Sequence, residues 1–242
     1  MEAVHKKIFA NLDMFRVLEE SARVKFLAQA THFHRTKGGV VCLAGEPAHN
    51  LFVVVSGWIK IFRETLDGEE AVLDVVSTGS FFGEDAAFDG DLYQMNAEVV
   101  EDAEIMTFPI ALLKEQIEKD PIFARATLSY MTQKKQLRER EVEHLSVQNA
   151  PQRIGCFLLR LAGPDAIEKA SFDLPFDKTL IAAKLGMQPE TFSRALAKLR
   201  HETGVHIKGA RVSIDEVEKL STYACSACSS EFPCKDLTGH KC

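Results

Sequence analysis

The chain has 242 residues, of which 46% are hydrophobic and 26% charged, and its formal net charge is −6. This composition is typical of a folded globular protein, and the length favours two modest domains. No apolar run approaches the ~20 residues of a membrane-spanning helix, and no secretory signal is visible at the start. We therefore expect a cytoplasmic protein without a membrane partner.

The first half of the sequence predicts helices followed by a β-structure. Apolar residues recur at three- and four-residue steps over residues 5–30, which indicates helix. From about residue 31 to 108, short apolar runs alternate with glycine turns, which predicts an antiparallel barrel or sandwich. The predicted strands are Val40–Leu43, Leu51–Val55, Trp58–Arg63, Ala71–Val76, Asn96–Val100 and Glu104–Thr107. Asp67-Gly68 is a hairpin signal between two of them.

A long helix is predicted from Pro109 to about Val147. Its second half keeps the alternating 4-3 spacing of a coiled-coil seam. The seam positions are Ala124, Leu128, Met131, Lys135, Arg138, Val142 and Leu145. A helix packed on its own domain could give a similar pattern. We favour a homodimer helix because the segment is long and lies between two domains.

Asn149-Ala-Pro151 breaks the helix and begins a second domain. Within that domain Asp177 can cap a short helix that ends at Gly186, and Pro189 suits the first position of a second helix. This order is the helix-turn-helix pattern. The stretch from His206 to Val212 follows as a β-hairpin turning at Lys208-Gly209, which predicts a wing.

The second helix of this pair carries a candidate base-reading pair, Glu190 and Arg194. Glutamate can accept a hydrogen bond from cytosine, and arginine can donate two to guanine. Spaced four residues apart, they could equally form a surface ion pair. Seven basic side chains stand against two acidic ones between residues 178 and 211, which suits phosphate contact. The predicted DNA-binding residues are Gln188, Glu190, Thr191, Ser193, Arg194, Lys198 and Lys208.

Cysteines are concentrated at the end of the chain. Four of the six lie in the last 18 residues, namely Cys225, Cys228, Cys234 and Cys242. Such a terminal group suggests metal or redox chemistry rather than structural disulfides. Four thiolates can hold a [4Fe–4S] cluster or a tetrahedral zinc ion, and His240 could replace Cys242 in the zinc case. We interpret the other two, Cys42 and Cys156, as core cysteines, although Cys42 could supply a ligand.

The order of the predicted elements resembles the CRP/FNR family of bacterial transcription regulators over about residues 8–220, and three local motifs resemble it as well. They are the strand–glycine–strand run from Leu51 to Lys60, the segment Gly79-Ser-Phe-Phe-Gly-Glu84, and Pro189-Glu-Thr-Phe-Ser-Arg194. The resemblance implies an α+β fold: an N-terminal cyclic-nucleotide-binding-like β-barrel or jelly roll, a long dimerisation helix and a C-terminal winged helix-turn-helix. The implied domains are 1–112, 113–148, 149–220 and a cysteine-rich tail, 221–242.

The resemblance also implies the partners: double-stranded DNA, a second copy of the chain, and RNA polymerase. Ser193 beside Arg194 resembles the FNR branch, which implies a TTGAT-N4-ATCAA palindrome. Pro189 departs from the residues usual at its position, so the outermost base preference stays open. Cyclic-nucleotide-binding members place an arginine and a hydroxyl residue where Met95 and Asn96 stand here. We therefore expect no binding of cyclic AMP.

The x2, x5 spacing of Cys225, Cys228 and Cys234 is similar to the cluster cysteines of oxygen-sensing FNR proteins, although those usually lie near the N-terminus. The resemblance thus implies a regulator responding to oxygen, redox state or nitric oxide through a [4Fe–4S] cluster. Zinc, haem and a metal-free tail remain alternatives. An enzyme of the cupin type is the competing class, suggested by His32-Phe-His34, but the glutamate that follows in cupins is missing. We expect no enzymatic activity.

Overall fold

The computed structural model describes residues 3–229 and 232–234, which form two compact units. The first unit extends to Lys134 and the second begins at Lys135. Within the described residues, no helix has both the length and the apolar character needed to cross a bilayer. The α+β fold class expected from the sequence is confirmed.

The first unit is an antiparallel sheet with helices at both ends of its sequence. Helices α1 (Ala3–Asn11) and α2 (Glu20–Gln29) come first. The strands are β1 (Thr31–Arg35), β2 (Val40–Cys42), β3 (Asn50–Glu64), β4 (Glu70–Ser77), β5 (Phe81–Phe82) and β6 (Asn96–Pro109). The main path runs β1-β6-β3-β4, while β2 pairs with β6 and β5 with β3. The hairpin predicted at Asp67-Gly68 is confirmed, since it joins β3 to β4.

Two long strands replace four predicted short ones, because β3 and β6 each run without a break. In β3 the interruption that the sequence suggested is Gly57, which has a φ of +85°. The pairing register between β3 and β6 shifts at this glycine, between Ser56 and Trp58. A Cβ at position 57 would lie 2.4 Å from the carbonyl oxygen of Asp102 and 2.7 Å from Cα of Ala103. Gly57 is therefore a bulge at which β3 and β6 approach closely, not a turn.

The helices of this unit pack on one end of the sheet through phenylalanines. Phe9 lies against Phe15 and Phe108, with ring centroids 4.9 and 5.0 Å apart. Phe26 and Phe123 complete the group, and all five rings are fully buried. Such a core buries apolar area from five separate elements at once, which fixes the helices to the sheet.

The predicted helix from Pro109 to Val147 is two helices, α3 (Ile110–Lys119) and α4 (Pro121–Val147). Asp120 between them is extended, with φ −124° and ψ 101°. Its carboxylate accepts hydrogen bonds from the backbone N–H groups of Ile122 and Phe123, which begins the new helix. The residue before a proline is disfavoured in the helical region, so Asp120 leaves the helical conformation and α3 ends at Lys119.

The second unit contains the C-terminal part of α4, four further helices and a small sheet. The helices are α5 (Ala150–Ala162), α6 (Lys178–Lys184), α7 (Pro189–Thr203) and α8 (Val217–Cys225). The strands are β7 (Ala170–Asp173), β8 (His206–Lys208) and β9 (Arg211–Ile214), in the order β7-β9-β8. Asn149 and Gln152 form a capping box that starts α5, which confirms the predicted helix break.

Candidate functional site

The helix-turn-helix forms as the sequence predicts. The Asp177 carboxylate accepts a hydrogen bond from the N–H of Leu180 (2.9 Å) and so caps α6. Gly186 between the helices has a φ of +63°, which favours glycine. Pro189 takes the first position of α7. A Cβ on Gly186 would lie 3.1 Å from Cδ2 of Leu145, so α4 packs close to this turn.

One face of α7 is buried and the other is free to meet a ligand. Phe192, Leu196 and Leu199 are turned into the core of the second unit. Most of the predicted DNA-binding residues are exposed, and Thr191 is half-buried. The exposed ones are Gln188, Glu190, Ser193, Arg194, Lys198 and Lys208. The Ser193 hydroxyl donates to the carbonyl of Pro189 (3.0 Å), which fixes it against its own helix.

For Glu190 and Arg194 the sequence leaves both base reading and a surface ion pair open. Both side chains are exposed on the same helix face, four residues apart. Ion pairs do form elsewhere on helices at this spacing, as between Lys135 and Glu139 at 2.9 Å. Among the residues that the structure describes, however, the side chains of Glu190 and Arg194 make neither a hydrogen bond nor an ion pair with each other or with other residues. The donors of Arg194 and the acceptors of Glu190 are thus available to base edges.

The hairpin predicted as a wing is formed by β8 and β9. Lys208 pairs with Arg211 across its end, so the turn consists of Gly209 and Ala210, one residue later than predicted. Arg211 donates to the carboxylate of Asp173 at 3.2 Å, which neutralises part of its charge. Lys208 makes no ion pair with any described residue. It is therefore the cation at this turn that can meet a phosphate.

The predicted metal ligands lie at the end of α8 and just beyond it. Cys225 is the last residue of α8, and its carbonyl accepts a hydrogen bond from the N–H of Cys228 (3.0 Å). Sγ of Cys228 is 3.6 Å from Nε2 of His144 on α4. Cys234 is half-buried, like the other two. The fourth predicted ligand, Cys242, lies outside the described residues, as does His240.

One further thiol, that of Cys156, was not assigned to this site from the sequence. Burial raises the pKa of the Cys225 thiol to about 11. Three nearby thiols act in the same direction: Cys156, Cys228 and Cys234. Burial also raises the pKa of Cys156, while the Arg160 guanidinium lowers it. Cys156 of α5, interpreted from the sequence as a core cysteine, is only half-buried and belongs to this group.

The four thiols lie within electrostatic range of one another without closing around a single point. Across residues 3–229 and 232–234, no three Cys, His, Asp or Glu side chains converge closely enough to hold one metal ion. A zinc ion gathers four sulfurs about one atom, whereas a four-iron cluster binds each thiolate on a separate iron. Both use cysteine thiolates, which are the donors present here.

In the segment of the barrel that resembles the effector pocket, the buried carboxylate of Glu84 pairs with a half-exposed lysine. Glu84 is 1% exposed and accepts a hydrogen bond from the ammonium of Lys134 on α4. Its other oxygen has no partner among the described residues. Met95 is buried in the core, and the Asn96 amide oxygen accepts from the N–H of Ala44 at 2.8 Å. Neither supplies a positive charge.

Two domain families match this chain. Residues 33–120 match the cyclic nucleotide-binding domain, and residues 152–223 match the Crp-like helix-turn-helix domain. A solved structure from Ruegeria pomeroyi, provisionally described as a cyclic nucleotide binding protein, is similar at 33% identity, covering 91% of this chain and 97% of that chain with a TM-score of 0.65.

Curated relatives are similar over most of the chain as well. The CRP-like cAMP-activated global transcriptional regulator of Mycobacterium tuberculosis is 25% identical, covering 90% of this chain and 99% of its own length. The fumarate and nitrate reduction regulatory protein of Vibrio cholerae is 25% identical, covering 74% of this chain and 72% of its own length. Together with the winged helix-turn-helix and the barrel, these matches show that the chain belongs to the CRP/FNR family of DNA-binding transcription regulators.

Proposed function

We propose that this regulator binds an FNR-like palindrome, TTGAT-N4-ATCAA, as a homodimer and responds to oxygen, redox state or nitric oxide through a [4Fe–4S] cluster. It would act on RNA polymerase at promoters in the cytoplasm and catalyse no reaction. The observation that carries the proposal is the group of thiols on α5 and at the end of α8, in the same unit as the helix-turn-helix. The similarity to the fumarate and nitrate reduction regulatory protein supports it.

In this proposal, the exposed face of α7 recognises the DNA bases. Arg194 would donate to guanine and Glu190 would accept from cytosine, each on an adjacent base pair. Lys198 and Lys208 would contact phosphates, which position the helix but carry no sequence information. In a symmetric dimer the two copies of α7 would enter major grooves about one helical turn, ~34 Å, apart.

Arg194→Ala is expected to lose about 1–3 kcal/mol of discrimination at one G·C pair of each half-site, because one bidentate contact disappears. Lys208→Ala is the matched control, since it should weaken specific and random DNA equally and reduce the salt dependence of binding by about one ion per subunit. Fluorescence anisotropy with the palindrome, a variant palindrome and random DNA at several salt concentrations measures both effects. An equal loss on all three DNAs for Arg194→Ala would contradict the assignment.

The dimer contact is assigned to α4. Large apolar side chains at predicted seam positions are exposed, including Leu128 at 67% and Val142 at 62%. These two positions are two heptads apart and so lie on the same helix stripe. A second copy of the same helix would cover both, which is how a two-fold symmetric interface forms.

Val142→Glu is expected to shift the dimer towards monomer. Burying a valine contributes about 1.5–3 kcal/mol, and symmetry removes two at once, so the dissociation constant should rise by roughly 100-fold or more. Ile122→Glu is the control, because Ile122 is similarly exposed (59%) on the same helix but lies off the seam. Sedimentation equilibrium over a range of protein concentrations compares them. Equal dimerisation of the two variants would exclude this seam.

The proposed signal does not include cyclic AMP, although the relative from Mycobacterium tuberculosis is cAMP-activated. The buried residues at the aligned positions, Met95 and Asn96, offer no cation for a cyclic phosphate. Two nearby lysines are already paired, Lys60 with Glu70 and Lys134 with Glu84. Calorimetry should give no heat of cyclic AMP binding at micromolar concentrations, and saturable binding there would overturn this part of the proposal.

The proposed cofactor depends on the thiols of Cys225, Cys228 and Cys234. When bound, a cluster of this kind supplies reactivity towards oxygen and nitric oxide. The chain's own contribution is to hold the thiols on the end of α8 and to connect them to α4 through His144. A change in the ligand positions would therefore move residues within the same unit as the recognition helix. The signal must favour one arrangement over another, since equal affinity for both shifts nothing.

Protein purified under nitrogen from iron-supplied cells should be brown, absorb near ~400 nm and contain iron and sulfide in equal amounts. Exposure to air should bleach it and change its affinity for the palindrome. The control is Cys225→Ala, which should be colourless in both atmospheres. Colourless wild-type protein with one zinc per chain, or a haem spectrum, would refute the cluster.

A further inference from the structure

The geometry points to Cys156 of α5, rather than Cys242, as the fourth ligand of the iron–sulfur cluster. This inference rests on the proposed function, because it completes the ligand set of that site. Three ligands would then come from one short stretch at the end of α8, and the fourth from a different helix. The cluster would tie the end of α8 to the middle of α5.

The face of α5 that carries Cys156 is the face on which the cysteine stretch lies. Gln152, Cys156 and Arg160 are spaced four residues apart, so they share one side of the helix. The Gln152 amide donates to Oγ of Ser226, the residue after Cys225, at 2.9 Å. One turn after Cys156, the guanidinium of Arg160 is 2.8 Å from Nδ1 of His144.

His144 extends this contact to the second cysteine, since its Nε2 is 3.6 Å from Sγ of Cys228. Cys156 therefore lies between two contacts on its own helix. One turn before it, Gln152 contacts Ser226, the residue after Cys225. One turn after it, Arg160 contacts His144, which is adjacent to Cys228. Close helix packing brings the backbones together at the same place. A Cβ on Gly155 would lie 3.0 Å from Cβ of Ala224.

The ligands of such a cluster would be thiolates. Ligation is not a redox step: each thiol gives up its proton as its sulfur binds an iron atom. Cys42 belongs to the barrel unit, where it is buried with Sγ 3.9 Å from the carbonyl oxygen of Met95.

A ligand on α5 would also give the site a direct route to the recognition helix. The position of a Cβ on Gly155, next to Cys156, is 3.5 Å from Cδ1 of Leu199 on α7. Leu199 is fully buried and fixes α7 against α5. A displacement of Cys156 on loss of the cluster would thus also move Gly155, whose contact with Leu199 helps to set the position of α7.

The test compares alanine variants of the full-length protein purified under nitrogen. Iron, acid-labile sulfide and the absorption spectrum are measured for wild type and for Cys156→Ala, Cys242→Ala and Cys42→Ala. We expect about four irons and four sulfides per chain in wild type, Cys242→Ala and Cys42→Ala, and at least a fourfold loss in Cys156→Ala. Cys156→Ser, which keeps the shape of the side chain, should show the same loss if folding is not the cause.

The outcomes separate this inference from the proposed function. A full cluster in Cys156→Ala together with its loss in Cys242→Ala would overturn the inference and leave the cluster in place. Loss in His144→Ala with a full cluster in both Cys156 variants would assign the fourth ligand to His144 and also overturn it. Wild-type protein without iron would refute the proposed function itself, and the inference with it.

Discussion

Gly57→Ala is expected to destabilise the barrel unit by about 4 kcal/mol or more, a large part of the stability of a typical domain. Two costs add. The residue must hold a φ of +85°, and its Cβ must fit 2.4 Å from the carbonyl oxygen of Asp102. The obstacle is backbone of the neighbouring strand, which cannot turn away as a flexible side chain can.

Gly79→Ala is the matched control, because Gly79 has nearly the same φ (+83°) but nothing within 4 Å of the added Cβ. It should lose only the cost of backbone strain, about 1–3 kcal/mol. The single tryptophan, Trp58, lies in β3, so its fluorescence during urea unfolding follows the barrel unit. Equal losses for the two variants would mean that β3 and β6 can separate at Gly57 without cost.

Lys134→Met is expected to destabilise the same unit by about 3 kcal/mol at pH 7. It leaves the buried carboxylate of Glu84 without its half-exposed cation, and a buried charge that has lost its partner is costly. The loss is limited because Glu84 can take up a proton, which costs about 4 kcal/mol at pH 7 for an ordinary glutamate. Lys135→Met, which breaks an exposed pair with Glu139, should cost less than about 1 kcal/mol.

The double variant Glu84→Gln with Lys134→Met tests the cause. Once the carboxylate is an amide, loss of the lysine should matter little, so the two effects should be strongly non-additive. Simple addition of the two single effects, measured through Trp58 fluorescence, would show that Lys134 stabilises the unit in another way.

The pH dependence of Lys134→Met has a definite sign. Burial raises the pKa of Glu84 above its ordinary value, and Lys134 lowers it. Because the folded pKa is the higher one, stability from this group is present below the unfolded pKa and is lost as pH rises through the folded pKa. Removal of Lys134 raises the folded pKa further. The defect of the variant should therefore be largest near neutral pH and disappear below about pH 4.

Local signals in the sequence predicted the elements that depend on local chemistry. Asp177, Gly186 and Pro189 define the ends of α6 and α7 because capping, left-handed backbone and a missing N–H are properties of single residues. The wing followed from the glycine turn in the same way. At Pro121, in contrast, a continuous apolar pattern hid a helix start that needed only the carboxylate of Asp120.

Long-range proximity was not available from these signals. Gly57 interrupts an apolar run as a turn glycine would, and only the approach of Asp102 and Ala103 shows that the strand continues. Cys156 stands alone on an amphipathic helix, which is how a core cysteine also looks in a sequence. Its neighbours come from α8 and the residues after it, a juxtaposition that depends on how α5 and α8 pack.

The absence of an ion pair between Glu190 and Arg194, within the described residues, has a consequence for recognition. No internal bond has to be broken before these side chains meet DNA. Entry into the groove costs them rotamer freedom, up to about 2 kcal/mol for a side chain as long as arginine. This cost is the same for every sequence, so selectivity between sites depends on how completely the base edges satisfy the two side chains once they are dehydrated.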